Sequence, residues 1–117
     1  MQAIAKARYQ RISPRKARVV VNMVRGRNAA EALEELRFTR KGAAPLVAKV
    51  LESAVANAEY LAQQRGEAVD LDNLYVKLAY VDQAPNRHMR RWRPRAMGRA
   101  TRVVQGMSHI TIVVSDE

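Results

Sequence analysis

The 117 residues predict an α+β domain of three helices and three strands, with a long antiparallel β-hairpin projecting from it. Three observations lead there. Three segments show the two-residue period of a half-buried strand. Three others repeat apolar residues at spacings of three and four, the period of a helix with one buried stripe. And one stretch, Gln83 to Gly106, lies between two strands yet is too polar for a core, with Pro85, Pro94 and Gly98 set against an uninterrupted helix. A chain of this length supports one core. Residues 1–117 therefore read as a single domain with the hairpin at about 83–106. Hydrophobic residues make up 48% of the chain and aromatic ones only 5%, so that core must rest on Val, Leu, Ile and Ala.

Residues 2–12 read as the first strand. Ala3, Ala5, Ala7 and Tyr9 fall on one face, and Lys6, Arg8 and Gln10 on the other. Ser13-Pro14 starts a helix, because a Ser oxygen can accept from a first-turn amide and Pro suits the first helical position. This helix runs from Pro14 to about Arg25, with Val20, Met23 and Val24 towards the core and Ala17 or Val21 at its edge. Gly26 stops it, since a left-handed residue there has no Cβ penalty. Asn28 caps a shorter helix through Ala32, Leu33 and Leu36. A long third helix spans about Ala43 to Arg65, its stripe formed by Val47, Val50, Leu51, Ala54, Ala58, Leu61 and Ala62, and Gly66 ends it. In the next strand Leu74, Val76, Leu78 and Tyr80 alternate with Tyr75, Lys77, Ala79 and Val81. The last, Ser108 to Ser115, sets Ile110, Ile112 and Val114 against His109, Thr111 and Val113. Each hairpin arm of roughly ten residues would reach about 30 Å at ~3.3 Å per residue.

Charge is the strongest functional signal. Lys and Arg total 21 against 11 Asp and Glu, a net charge of +10. The excess is segregated. Residues 1–27 and 83–106 hold basic residues and no acid, while residues 28–82 are slightly acidic. Two basic blocks flanking a near-neutral middle point to a polyanionic partner, whose condensed counterions are released when phosphates are neutralised. The hairpin block is all arginine: Arg87, Arg90, Arg91, Arg93, Arg95, Arg99 and Arg102. Guanidinium forks onto phosphate and stacks on bases, and Trp92 among them can stack on an unpaired base. A solvated basic loop is the bland alternative, but the interleaved Trp, Pro and Gly residues give the segment shape as well as charge. The N-terminal block is Arg8, Arg11, Arg15, Lys16, Arg18, Arg25 and Arg27, joined by Lys6. Arg15, Lys16 and Arg18 crowd the positive end of a helix, where a bound phosphate would offset their unfavourable placement.

Other chemistries fit poorly. Ser108, His109 and Asp116 invite comparison with a triad, but adjacent strand residues point to opposite faces. His88 lies far from His109 in sequence. Asp70, Asp72 and Asp82 lack the loop signature of a cation site and read as turn residues. No Cys is present to form a disulfide or a thiolate metal site. No catalytic residue, metal or cofactor is expected. Neither an apolar run long enough to span a bilayer nor a signal-like N-terminus is seen, so no membrane partner is expected. Ser13-Pro14-Arg15-Lys16 is similar to a DNA minor-groove tetrapeptide, which keeps an architectural DNA-binding module as the competing class.

Three stretches together resemble one family, the bacterial large-subunit ribosomal protein number twenty-two. They are Ile12-Ser13-Pro14-Arg15-Lys16-Ala17-Arg18 with Val24-Arg25-Gly26; Ser53-Ala54-Val55-Ala56-Asn57-Ala58-Glu59; and Pro94-Arg95-Ala96-Met97-Gly98-Arg99-Ala100 followed by Ser108-His109-Ile110-Thr111-Ile112-Val113-Val114-Ser115-Asp116. The resemblance implies three helices packed on a small three-stranded antiparallel sheet, at the surface of the large subunit in the cytoplasm. It implies a hairpin threaded through large-subunit (23S-type) rRNA to help line the peptide exit tunnel, and a role in assembly rather than catalysis. The implied partners are that rRNA, neighbouring large-subunit ribosomal proteins and, near the hairpin tip, the nascent peptide. Carried over by position, the tip would be His88, Met89, Arg90, Arg91, Trp92 and Arg93, with Arg95, Arg99 and Arg102 on the returning arm. The sequence departs from the family at Gln105-Gly106-Met107, where two basic residues are usual.

Overall fold

The computed structural model describes residues 1–67, 70–85, 90–104 and 106–117. Strand β1 (Gln2–Gln10) leads into helices α1 (Pro14–Val24), α2 (Ala29–Phe38) and α3 (Ala44–Arg65). Strands β2 (Tyr75–Gln83), β3 (Arg90–Pro94), β4 (Ala100–Val104) and β5 (Ser108–Ser115) follow. β5 lies at the centre of a three-stranded sheet of order β1-β5-β2, antiparallel to both neighbours. β3 and β4 pair with each other as a separate two-stranded ribbon. The expected α+β architecture is present, with the helices against one face of the sheet.

The core is aliphatic, as the composition requires. Ala17, Val20, Val21 and Val24 of α1 and Val47, Val50, Leu51, Ala54 and Ala58 of α3 are buried against Ile110, Ile112 and Val114 of β5 and Val76, Ala79 and Val81 of β2. Alanines on α3 and on β1 (Ala3, Ala5) let helix and sheet approach closely. Gly26 (φ +78°) and Gly66 (φ +66°) hold the left-handed conformations anticipated after α1 and α3. Asn28 caps α2, its Oδ1 accepting from the Ala30 amide at 2.9 Å. Ser13 precedes α1, but its side chain makes no capping bond; Pro14 and the backbone turn suffice to start the helix.

Two bulges correct the strand faces read from alternation. Between Ala7 and Gln10 the β1 register slips by one residue, and Tyr9 takes φ 56°. Tyr9 is therefore exposed rather than in line with Ala3 and Ala5. A second slip lies between Val76 and Leu78. One extra residue reverses every later side chain, so Ala79 and Val81 face the core while Leu78 and Tyr80 lie on the open face. There Ile4, Val113 and Leu78 form one cross-strand row.

Both outer edges of the sheet are occupied. The Asn57 Nδ2 of α3 donates to the Ile4 carbonyl of β1 at 2.9 Å. Along β2, Gly26 and Arg27 pair with Val76 through the backbone, and Arg25 and Arg18 donate to the carbonyls of Ala79 and Val81. Covering an edge in this way removes a template for unwanted strand pairing.

The ribbon makes the molecule long. Its principal extents are 68 × 27 × 16 Å and its radius of gyration is 17.7 Å; a compact chain of this length has about 13 Å.

Candidate RNA interface

The ribbon is built by five cross-strand pairs, Arg90↔Val104 through Pro94↔Ala100. Pro94 is tolerated because both strands of a two-stranded ribbon are edges, so a missing amide need not break a ladder. The chain reverses between these strands, at Arg95 to Arg99. Met97 (φ 61°, ψ 34°) and Gly98 (φ 69°) occupy successive left-handed conformations. Bonds from the Arg95 amide to the Arg99 carbonyl (2.7 Å) and from the Arg99 amide to the Ala96 carbonyl (3.4 Å) close the turn. A non-glycine residue in this conformation costs roughly 1–2 kcal/mol, and Met97, 93% exposed, has no packing to offset it.

This moves the tip. The sequence placed it at His88 to Arg93, with Arg95, Arg99 and Arg102 on the returning arm. In the structure Arg90, Arg91, Trp92 and Arg93 belong to the outgoing strand, Arg95 and Arg99 to the turn, and only Arg102 to the returning strand. The physical reason is that Met97-Gly98 supplies the left-handed pair a tight reversal needs. Arg87, His88 and Met89 lie outside the described residues.

Arg91, Trp92, Arg93, Arg95, Arg99 and Arg102 are all exposed. Arg95 Nε donates to Thr101 Oγ1 at 3.2 Å, so its guanidinium leans back along the ribbon. Near the base, the Ala84 amide donates to the Met107 carbonyl at 2.9 Å, continuing the pairing of β2 with β5. Gly106 lies against the start of α1: a Cβ there would stand 3.0 Å from Ser13 Cα and 3.2 Å from Pro14 Cδ. The buried Ser108 hydroxyl donates to the Ile12 carbonyl at 2.6 Å. The hairpin base is thus locked to the N-terminal end of α1.

The N-terminal basic block divides in two. Arg11, Arg15 and Lys16 are exposed around the start of α1, and Arg8 lies beside Tyr9, its guanidinium 5.5 Å from the ring centroid. Arg18, Arg25 and Arg27 already have partners. Arg18 holds the Val81 carbonyl through Nε (3.3 Å) and Nη2 (3.0 Å), and Arg25 holds that of Ala79 (3.1 and 2.6 Å). Arg27 contacts Glu35 at 2.7 Å. Sequence reasoning missed Lys41. A groove of about 390 Å³ between α1 and the α2–α3 connection is lined by Ile12, Lys16, Val19, Lys41, Gly42 and Ala43, bringing Lys41 into the surface of Lys16. Twenty-odd intervening residues hide that proximity from any local pattern.

The chain matches the family model described as ribosomal protein L22p/L17e over residues 5–115, which includes the ribbon and all three helices. The chain belongs to that family. Its members are structural ribosomal proteins and not enzymes. Among curated relatives it is 53% identical over 116 residues to the large ribosomal subunit protein uL22 of Sorangium cellulosum, covering 99% of this chain and 98% of the relative. Family membership accords with the exposed arginines on the described part of the ribbon and at the start of α1, and with the resemblance already visible in the three sequence stretches.

Proposed function

We propose that the chain is a structural constituent of the large ribosomal subunit in the cytoplasm, where it binds large-subunit rRNA, aids its assembly, and uses the ribbon to help line the nascent-polypeptide exit tunnel. The observation that carries this is the ribbon itself. A two-stranded hairpin is marginal in water, and one bearing exposed arginines with no acid among residues 83–106 is further destabilised by self-repulsion. Surrounding phosphate reverses both terms. The exposed face at Arg11, Arg15, Lys16 and Lys41 supplies a second contact on the domain. Neighbouring ribosomal proteins complete the surroundings, and the nascent peptide meets the turn at Arg95 to Arg99, the part of the ribbon farthest along the chain from its base.

The test is sedimentation of a lysate through a sucrose gradient at increasing salt. Co-migration with the large subunit, retained at high salt, is expected of a ribbon interlocked with RNA. Protein left at the top of the gradient, or travelling with DNA, would reject the assignment.

A further inference from the structure

The ribbon has two chemically different faces. Neighbouring residues along a strand alternate in direction, and residues directly paired across strands share a face. Arg91 pairs with Val103 and Arg93 with Thr101, so these four lie on one side. Arg95 joins them through its bond to Thr101. Trp92 pairs with Arg102 on the other side. Trp92 is 65% exposed, and among the described residues no ring or cation stacks on its indole.

We infer that the ribbon is wedged between two RNA elements. Arg91, Arg93 and Arg95 engage consecutive phosphates of one strand, and Trp92 stacks on an unpaired base of the other, with Arg102 beside it. Two-residue spacing sets the rank of arginines about 7 Å apart, comparable to the distance between successive phosphates on one sugar–phosphate chain. Guanidinium forks suit that array. The indole has no core to join, and its flat apolar surface is covered by a base of any identity. This inference rests on the proposed RNA-binding role and assigns a division of labour within it.

Trp92 is the chain's one tryptophan, so emission excited at wavelengths that its four tyrosines do not absorb reports on that face alone. The full-length protein is titrated at fixed salt with three end-labelled oligoribonucleotides of equal length: an unstructured strand, a perfect duplex, and a strand with abasic positions. Anisotropy measures binding and Trp92 emission measures stacking. The unstructured strand is expected to quench emission at saturation, while the duplex and the abasic strand bind and leave it near the free value. Trp92→Leu is expected to weaken binding of the base-bearing strand roughly ten-fold without changing the salt slope. Arg93→Gln is expected to weaken all three RNAs and lower the slope by about one. Binding of the unstructured strand without quenching, or equal quenching by the abasic strand, overturns the stacking assignment alone. Absence of binding to any of the three overturns the functional proposal and this inference with it.

Discussion

Arg18 of α1 and Arg25, just past its end, turn their guanidinium groups onto carbonyls of β2, while Arg15 and Lys16 at the start of the helix stay in solvent. All four carry the same charge and share one short stretch of sequence. What separates them is placement: Arg18 follows buried Ala17 within the helix, and Arg25 follows buried Val24 in the extended backbone that leaves it (φ −63°, ψ 128°). Each therefore reaches the β2 edge of the sheet. Arg25→Ala removes two charge-assisted bonds to the Ala79 carbonyl. It is expected to cost about 1–2 kcal/mol in urea unfolding, whereas Arg93→Ala, on the ribbon, should stay within about 0.5 kcal/mol of the parent. A second residue-scale expectation concerns His109. The Tyr9 amide donates to its Nδ1 at 3.0 Å, and the two rings meet edge to face at 4.7 Å. An acceptor at Nδ1 places the proton of the neutral ring on Nε2. Imidazole ¹⁵N shifts recorded with the ring unprotonated should show that tautomer, and the opposite tautomer would mean the bulge is held some other way.

Among the elements, the junction between hairpin and domain is closely packed. A Cβ at Gly106 would stand 3.0 Å from Ser13 Cα, so the facing backbone would have to give by a few tenths of an ångström, and Ser108 is bonded to Ile12. Gly106→Val should destabilise the domain by about 1–3 kcal/mol through overpacking, with a matching fall in urea midpoint. An unchanged midpoint would show that the junction yields easily. Sequence alone marked Gly106 only as a departure from family habit, because its neighbour lies some ninety residues earlier in the chain. What periodicity did reveal was element identity. The apolar stripe of α3, the Asn28 cap and the glycine stops at 26 and 66 stand where local chemistry put them, but the α1 stripe is turned: Ala17 and Val21 are fully buried with Val20 and Val24, and Met23 lies at the margin rather than in the core. Phase was less legible. The bulges after Ala7 and Val76 insert one residue each, and nothing in the alternation of Leu78 and Tyr80 announces that they have changed sides. The turn was misplaced for a related reason: Pro94 reads as a strand breaker, while the left-handed pair at Met97-Gly98 shows itself fully only in the backbone. For the basic residues, charge segregation identified the class of partner but could not tell a guanidinium bound to a carbonyl from one left free.

At the scale of the whole molecule, the ribbon sets the dimensions. Small-angle scattering of the free protein should give a radius of gyration near the 17.7 Å of the structure; a value near 13 Å would mean that the ribbon folds back onto the domain. The connectivity has a mechanical consequence. The ribbon's arms lead into the C-terminal end of β2 and the N-terminal end of β5, two adjacent strands whose pairing continues to Ala84 and Met107. A pull on the turn along the ribbon is therefore shared by both strands and carried into the ladder between β5 and β1 along the strand direction. Loaded in shear, those hydrogen bonds resist together instead of opening one after another. The same load on β2 bears on the carbonyls gripped by Arg18 and Arg25, so a tug at the far end is also resisted where the α1 segment holds that edge.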